Sequence, residues 1–374
     1  MSKELPRVLH FFKTYYPDSF GGIEQVIFQL CEGTAKFGFK SEVLALSPRA
    51  QDIPIKVAGH LVHQASLDIQ VASTGFSLSA FGKFAELAKQ ADIIHLHYPW
   101  PFMDIVHFAT RHGKPVVVTY HSDIIRQKKL LQLYRPLKNC FLSSVDRIVA
   151  TSPNYLATST VLNRFRDKVV EITYGLDKST YPIPAPELLD DWRSKFGGKF
   201  FLFVGMLRYY KGLHILLDAV AGTDYPVVII GSGPVEDELK EHANRLGLKN
   251  IYFLGALPDE DKVALLQLCY AVVFPSHLRS EAFGISLLEG AMYGKPMISS
   301  EIGTGTSYIN VNGETGLVVE AGNSAAFREA MRYLWENPDS AHQMGLRAEE
   351  RYWKLFTADR MAESYANLYK ELLK

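Results

Sequence analysis

Several features that would narrow the function are scarce in this sequence of 374 residues. Its three cysteines, Cys31, Cys140 and Cys269, lie far apart and form no CxxC pair. That spacing argues against a disulfide framework or a zinc site, and it is typical of a reducing compartment. Basic and acidic residues both number 40, so no net charge draws the chain onto nucleic acid, and any anion or membrane binding must come from local patches.

Long apolar runs are also missing. The longest ones, such as "YPVVII" and "GKPVVV", have the length of a strand, whereas a membrane-spanning helix needs about 20 apolar residues. The first residues, "MSKELPRVLHFF", are too few and too polar for a secretory signal peptide. The sequence therefore predicts a cytoplasmic protein.

What the sequence does contain is an alternation of short apolar runs and amphipathic segments. In the first half, "RVLHFF", "SEVLALS", "ADIIHLHY", "KPVVVTYH" and "DRIVATS" are predicted strands, separated by helical patterns such as "SAFGKFAELAKQ". The pattern restarts with "KFFLFVG" after a Pro-rich stretch near residues 178–192, which is predicted to be an irregular linker. The predicted fold class is α/β, with two doubly wound, Rossmann-like domains facing each other across a cleft.

Three segments follow from this division. Residues 1–180 are the predicted N-terminal domain, residues 181–355 the predicted C-terminal domain, and residues 356–374 a separate amphipathic helix. In doubly wound sheets, ligands bind beyond the carboxyl ends of the strands. Site residues are therefore expected in the loops that follow the strands.

Two loops of the first domain carry candidates. Gly21 and Gly22 follow the first strand and open a helix, an arrangement that suits phosphate but is also that of a plain tight turn. A dinucleotide-binding fingerprint is absent, because "GGIEQV" lacks the third glycine. His121 follows "PVVVTY", where a histidine either contacts a ligand oxygen or is structural. Asp123, just beyond it, is either a cap or a contact to an acceptor.

The second domain has two loops of the same kind. Arg208 and Lys211 stand between its first strand and a helix, so charge and helix dipole together favour an anion, although most lysines are merely solvated. Gly231 and Gly233 follow the next strand and form either a phosphate-binding turn or a structural turn, with Pro234 as the first helical residue.

The segment "RSEAFGISLLEGAMYG" carries an acid at each end of an apolar stretch. Glu281 lies in the loop after the strand "AVVFPS", and Glu289 lies two turns into the next helix. Between them, the amides of Phe283, Gly284 and Ile285 lie at the helix N-terminus. Amides suit a diphosphate and carboxylates suit hydroxyls, so this order matches a nucleotide sugar. The alternative is a helix cap followed by a solvent-facing acid.

Two further patterns carry less information. His95 and His97 alternate on a strand, but no third ligand at matching spacing accompanies them, so no metal site is predicted. The stretch "DIIRQKKLLQLYRPLKN" forms either a membrane-surface patch or an ordinary basic helix face, and its cations are Arg126, Lys128, Lys129, Arg135 and Lys138.

Taken in order, several of these motifs resemble the retaining glycosyltransferases of family 4, which have the GT-B fold. The matching stretches are "GGIEQV", "FVG" followed by "KG", "VIIGSGP", "FPS" and "EAFGISLLE", and they span nearly the whole chain. The resemblance implies that Glu281 contacts the donor sugar and that Glu289 holds the ribose hydroxyls. It also implies that Arg208 and Lys211 clamp the diphosphate and stabilise charge on the departing nucleotide.

The resemblance has further implications. The Gly22 amides would contact the diphosphate, His121 would contact the donor sugar, and the C-terminal helix would cross back onto the first domain, with neither metal nor cofactor required. The predicted catalytic residues are His121, Arg208, Lys211 and Glu281. The predicted substrate-binding residues are Gly21, Gly22, Asp123, Gly231, Gly233, Phe283, Gly284, Ile285 and Glu289.

The chain departs from the family pattern in two places. Met206 stands where the family often has arginine, and Arg208 comes two residues later. In the loop "EIGTGTSYI", Thr306, Ser307 and Tyr308 stand where the family often has an acid. The stretches "FVGMLRYYKGLHILL" and "TYHSD" most resemble bacterial mannosyltransferases that build lipopolysaccharide O-antigen from GDP-mannose. The implied partners are GDP-mannose and a glycan acceptor, lipid-linked and bound at the first domain near the inner face of the cytoplasmic membrane, and not nucleic acid. The alternatives are a UDP-sugar donor and a noncatalytic nucleotide-sugar-binding protein.

Overall fold

The computed structural model describes residues 4–71, 74–124 and 128–374, and the chain divides into two compact units. Unit 1 comprises Met1–Gly175 together with Thr357–Lys374, and unit 2 comprises Leu176–Phe356. Both units are α/β. The assignment of acceptor binding to the first and of donor binding to the second stays a prediction.

A largely parallel sheet forms the centre of unit 1. The strands described in this unit are β1 (Arg7–Phe11), β2 (Lys40–Ser47), β3 (Ile55–Val57), β4 (His60–Ser66), β5 (Ile69–Val71), β6 (Thr74–Phe76), β7 (Ile93–Tyr98), β8 (Val116–Tyr120), β9 (Arg147–Ala150) and β10 (Val169–Glu171). The sheet order is β10-β9-β8-β7-β1-β2-β4-β3, and within it only β3 runs antiparallel to its neighbour. β5 and β6 form a separate antiparallel hairpin.

The predicted strands of the first half are confirmed, and the structure adds five. β3, β4, β5, β6 and β10 were not predicted, because their sequences are short or polar, as in "HLVHQAS". The first helices of the unit are α1 (Gly22–Ala35), α2 (Ser79–Gln90), α3 (Pro101–Thr110), α4 (Lys128–Ser144), α5 (Pro153–Thr158) and α6 (Thr160–Arg164).

Unit 2 contains an entirely parallel sheet among the residues described. Its strands are β11 (Phe201–Val204), β12 (Val227–Ile230), β13 (Ile251–Gly255), β14 (Ala271–Phe274), β15 (Met297–Glu301) and β16 (Gly316–Glu320). The order is β13-β12-β11-β14-β15-β16. Every residue of β11, β12 and β14 is buried, as expected of parallel strands that are covered on both faces.

The helices of unit 2 include a first one that lies partly in the predicted linker. They are α7 (Pro186–Phe196), α8 (Leu213–Val220), α9 (Glu236–Arg245), α10 (Asp259–Leu268), α11 (Ile285–Met292), α12 (Thr306–Ile309), α13 (Ser324–Glu336) and α14 (Pro338–Leu355). The predicted irregular linker is therefore wrong in part, because α7 occupies much of it. Pro186 starts this helix, and Gly197, with a φ of 61°, ends it. Pro234 is not helical either, since α9 begins at Glu236.

The last helix, α15 (Ala358–Leu372), belongs to unit 1. Two of its tyrosines reach the central strands of that unit. The Tyr369 hydroxyl is hydrogen-bonded to His95 Nδ1 at 2.6 Å, and the Tyr365 hydroxyl is hydrogen-bonded to Thr119 Oγ1 at 2.7 Å. These buried bonds fix the helix on the sheet.

Candidate functional site

The topology of unit 2 marks one edge of its sheet as the place for a ligand. Numbered along the chain, its strands have the order 3-2-1-4-5-6, so the direction of winding reverses between β11 and β14. In doubly wound sheets, ligands bind at this switch point, beyond the carboxyl ends of the two strands. The loop after β11 carries Arg208 and Lys211, and the loop after β14 carries Glu281.

These two loops meet in an ion pair. The Lys211 ammonium contacts the Glu281 carboxylate, and each side chain is only 11% exposed. Ser276 Oγ lies 3.5 Å from the same carboxylate oxygen. Burial has the largest single effect and lowers the pKa of Lys211, but Glu281 and Tyr210 together outweigh it, so the pKa is raised above its ordinary value and the ammonium stays charged. The structure therefore brings together two of the predicted catalytic residues.

The loop that carries Lys211 is held by close backbone packing. Gly212 has a φ of 72°, and a Cβ at this position would clash with the carbonyl oxygen of Pro275. Gly231 and Gly233 touch the same loop, because a Cβ on either would meet the backbone of Gly205 or Leu207. Their contacts favour the structural turn over the phosphate-binding turn.

The helix that follows Glu281 is tied to the end of β11. Gly284, with a φ of 98°, is the N-cap of α11, and its carbonyl accepts from the amide of Leu287 at 3.0 Å. In the first turn, Ser286 Oγ donates to the carbonyl of Val204 at 2.6 Å. The amides of Phe283, Gly284 and Ile285 thus lie at a helix start beside the switch point, as predicted from the sequence pattern, although their phosphate contact stays a prediction.

A third loop joins this arrangement. Arg279 Nη1 donates to the carbonyl of Gly303 at 2.8 Å and to that of Ile302 at 3.3 Å. The amide of Gly305 donates to the carbonyl of Ala282 at 2.9 Å. The Arg279 guanidinium therefore links the Glu281 loop to the loop after β15, a role that its position in "HLRSEAFG" did not reveal.

Arg208 lies at the rim of the same site. Its side chain is exposed, and its Nε contacts Met206 Sδ at 2.9 Å. Arg208 is close enough to Lys211 that its charge acts to lower the pKa of that lysine, against the larger effect of Glu281. The two predicted anion-binding cations thus lie near each other, whereas their contact with a diphosphate stays a prediction.

Glu289 is buried rather than solvent-facing, with 3% of its surface exposed. Its Oε1 accepts from the Tyr181 hydroxyl at 3.0 Å and lies 3.1 Å from Lys262 Nζ. The alternative of a solvent-facing acid is therefore excluded by the structure, whereas contact with ribose hydroxyls stays a prediction.

In unit 1, the start of α1 holds a carboxylate of its own. Gly21 is the N-cap, and the buried Glu24 lies in the first turn. Glu24 Oε1 accepts from Thr14 Oγ1 and from Ser19 Oγ, each at 2.8 Å, and the carboxylate would clash with a Cβ on Gly21. A carboxylate at the positive end of the helix satisfies the dipole there. The predicted phosphate contact of Gly21 and Gly22 would have to form beside this negative charge.

His121 belongs to a chain of buried imidazoles. His10 Nδ1 is hydrogen-bonded to His97 Nε2 at 3.1 Å, and His97 Nδ1 is hydrogen-bonded to His121 Nε2 at 2.9 Å. His121 Nδ1 in turn contacts the Tyr174 hydroxyl. Both ring nitrogens of His121 therefore have partners inside unit 1, and a hydrogen bond from this ring to a ligand would have to replace one of them.

The clustered histidines do not have the geometry of a metal site. Ligand atoms of His10, His95 and His97 lie within 4.8 Å of one another. However, the His95 and His97 rings are stacked, with centroids 4.5 Å apart, and both nitrogens of each ring are hydrogen-bonded. Stacked rings do not aim their lone pairs at one ion about 2 Å away. We therefore read the cluster as a hydrogen-bonded core.

Asp123 and the predicted basic patch are partly internal. Asp123 Oδ1 accepts from the Tyr120 hydroxyl at 2.8 Å and from Ser159 Oγ at 3.1 Å, as a structural acceptor would. Lys138 is buried, and burial lowers its pKa, so it does not belong to a surface patch. Arg135 is exposed, whereas Arg126 and the side chains of Lys128 and Lys129 lie outside the described residues.

The fold and the site define a class, an α/β protein of two units with a buried ion pair at the switch point of its second sheet. Two family models match the chain: "Glycosyltransferase Family 4" over residues 20–179 and "Glycosyl transferases group 1" over residues 186–351. The chain belongs to glycosyltransferase family 4.

Two relatives cover nearly the whole chain. The D-rhamnosyltransferase WbpZ of Pseudomonas aeruginosa is 66% identical over 94% of this chain and 92% of its own length. The O-antigen chain mannosyltransferase C of Escherichia coli is 50% identical over 98% of this chain and 99% of its own. These similarities identify the protein as a glycosyltransferase.

Solved structures agree with the GT-B fold. The sucrose-phosphate synthase of Thermosynechococcus elongatus has a TM-score of 0.82 at 20% identity and covers 98% of this chain and 99% of that one. HepE of Anabaena, solved with UDP and glucose, has a TM-score of 0.77 at 19% identity, with 98% and 100% covered. Among the described residues, none of the helices has the length and hydropathy needed to cross a membrane.

Proposed function

We propose that the chain is a retaining mannosyltransferase that moves mannose from GDP-mannose to a growing, lipid-linked O-antigen acceptor. The names of the relatives support a role in O-antigen synthesis and a sugar of manno configuration. Within the site, the observation that carries the proposal is the buried pair of Lys211 and Glu281 at the switch point of unit 2.

The chemistry of this pair matches a nucleotide sugar. The Lys211 ammonium, supported by Arg208, neutralises the diphosphate and stabilises it as it departs, while Glu281 accepts from the sugar hydroxyls. Because Glu281 is ion-paired, we assign it a binding role rather than that of a nucleophile. Transfer then proceeds on the front face of the sugar, where the leaving phosphate takes the proton of the acceptor hydroxyl, and the anomeric configuration is retained.

A second donor is favoured by one observation, the 66% identity to a D-rhamnosyltransferase. D-Rhamnose is D-mannose without the 6-hydroxyl, so both sugars present the same ring hydroxyls to Glu281. The two donors differ in a single polar group, and discrimination depends on whether the site pairs that hydroxyl.

A donor panel tests the nucleotide and the sugar. Purified protein is mixed with GDP-mannose, GDP-D-rhamnose, UDP-glucose or UDP-N-acetylglucosamine, and the thermal midpoint and the release of nucleoside diphosphate are measured. A true donor raises the midpoint by mass action, and we expect GDP-mannose to do so most. A larger shift with a UDP-sugar would overturn the donor assignment, and binding without turnover in the presence of an O-antigen acceptor would favour a noncatalytic protein.

The role of Lys211 is tested by two variants. Lys211→Met is expected to lower turnover by about 10²–10³-fold, as the loss of a charge-stabilising donor does. It also leaves Glu281 buried without a cationic partner, which costs about 3–5 kcal/mol of stability. The double variant Lys211→Met/Glu281→Gln removes that unpaired charge, so it should regain stability but not turnover. Recovery of both would make the pair purely structural, and Lys295→Met, on a half-buried lysine that donates to the Gln267 carbonyl, is the control.

A further inference from the structure

The carboxylate of Glu289 is anchored on one oxygen by two other elements of unit 2. Tyr181, between the start of the unit and α7, donates its hydroxyl to Oε1 at 3.0 Å. Lys262, in the first turns of α10, places its Nζ 3.1 Å from the same Oε1. Glutamate has three rotatable side-chain bonds, so without such anchors its carboxylate would sample several directions.

The anchor is itself well held. Lys262 Nζ also pairs with Asp259 Oδ1 at 2.9 Å and lies 5.3 Å from the centre of the Tyr181 ring. Burial lowers the pKa of Lys262, but Glu289 and Asp259 outweigh burial and raise it, so the ammonium is charged. Two carboxylates thus share one cation, and the phenol supplies Glu289 with a second, uncharged donor.

We propose that Tyr181 and Lys262 are positioning residues that aim the Glu289 carboxylate at the paired hydroxyls of the donor's ribose. This inference rests on the proposed function, in which Glu289 binds those hydroxyls. With Oε1 occupied by the phenol and the ammonium, the carboxylate plane is fixed and Oε2 keeps one direction. A carboxylate that is already fixed does not have to be ordered when the ligand arrives. Anchoring it should therefore raise the affinity for the nucleoside part of the donor.

Tyr181→Phe tests the hydroxyl alone, because it keeps the packing of the ring and removes only the hydrogen-bond donor. The matched control is Tyr293→Phe, since the Tyr293 ring packs against that of Tyr181 with centroids 6.3 Å apart. Lys262→Arg keeps the charge at the second anchor. Dissociation constants are measured by calorimetry with GDP, 2′-deoxy-GDP and inorganic pyrophosphate, and KM and kcat are measured with GDP-mannose.

We expect Tyr181→Phe to weaken GDP binding by up to about tenfold, because the released carboxylate must then be ordered when the ligand arrives. KM should rise by a similar factor while kcat changes little, and pyrophosphate affinity should stay the same. The penalty should shrink with 2′-deoxy-GDP, because one of the hydroxyls served by the anchored carboxylate is gone. Tyr293→Phe should bind all three ligands like the wild type.

Two results would overturn the inference. An equal penalty on GDP, 2′-deoxy-GDP and pyrophosphate would mean that Tyr181 supports the whole loop. Unchanged GDP affinity in Tyr181→Phe, with weakened binding in Glu289→Gln, would leave Glu289 as a ribose contact that needs no anchor. If the wild type binds neither GDP nor GDP-mannose, the proposed function itself fails, and this outcome is distinct from the other two.

Discussion

Acid should unfold unit 1 through its buried histidines, His10, His95, His97 and His121. Burial is the largest cause that lowers their pKa values, to about 3 for His10 and His121 and well below the ordinary range for the other two. In the unfolded chain each has a pKa near its ordinary value of about 6.5. Because the folded pKa is depressed, the stability that these groups contribute is complete above pH 6.5. It is lost as the pH falls from 6.5 toward the folded pKa.

The expected loss is large compared with the stability of a domain. Between pH 7.5 and 5.5, each imidazole that stays neutral in the folded state costs about 1.4 kcal/mol, so the four together cost about 5.5 kcal/mol. A typical domain has a free energy of unfolding of about 5–15 kcal/mol. Asp104 acts in the opposite sense, because burial raises the pKa of its carboxyl. The dependence of the unfolding free energy on pH therefore contains both contributions, and a variant is needed to measure that of a histidine.

His97→Gln removes one imidazole from the chain and leaves Asp104 in place. Below pH 6, the slope of the unfolding free energy of unit 1 against pH should fall by about 1.4 kcal/mol per pH unit relative to the wild type. Urea unfolding is carried out at each pH and monitored by pulsed hydrogen exchange on peptides from β1, β7 and β8. This measurement gives the unfolding free energy of unit 1 separately from that of unit 2. His242→Gln, in unit 2, is the control. Equal slopes for wild type and His97→Gln would refute the reasoning, since they would mean that this imidazole takes up its proton without unfolding.

Two further predictions concern the loops of unit 2. Gly212→Ala should destabilise unit 2 by about 2 kcal/mol or more, because it combines a left-handed backbone with a clash against Pro275. The control Gly222→Ala should cost about 1 kcal/mol, because Gly222 has a φ of 75° but open space around it. Equal urea midpoints for the two variants would contradict this prediction. Arg279→Gln should lower kcat/KM about tenfold, because its carbonyl contacts hold two loops of the site together. Arg347→Gln, which loses a similar contact to the Glu314 carbonyl on the surface, should stay within twofold of the wild type.

Much of the fold of unit 2 could be predicted, because β11, β12 and β14 are short, apolar and followed directly by glycine or proline. The positions of Lys211 and Glu281 after strands could be read in the same way. What the sequence does not contain is the order of the strands. Only when β11 and β14 are known to be neighbours does it follow that these two side chains meet.

The parts that sequence reasoning missed depend on contacts between distant residues. Tyr181 lies in a stretch expected to be a linker, and no local pattern connects it with Glu289. Lys138 stands among other cations on α4, yet its side chain is buried, which a count of charges along the chain cannot reveal. His10 carried no motif of its own, and its link to His97 depends on β1 lying next to β7.

Under the proposed function, the pairing of Lys211 with Glu281 also changes how the site should select its donor. An anion alone would draw the ammonium away and leave a buried carboxylate unpaired, at a cost of several kcal/mol. A neutral sugar alone would offer hydroxyls to Glu281 but nothing to the ammonium. A sugar diphosphate supplies both partners at once, so each ionic group exchanges one partner for another and neither stays unpaired. The ion pair thus penalises free phosphates and free sugars alike, and intact donor should bind more tightly than the sum of its separate parts would suggest.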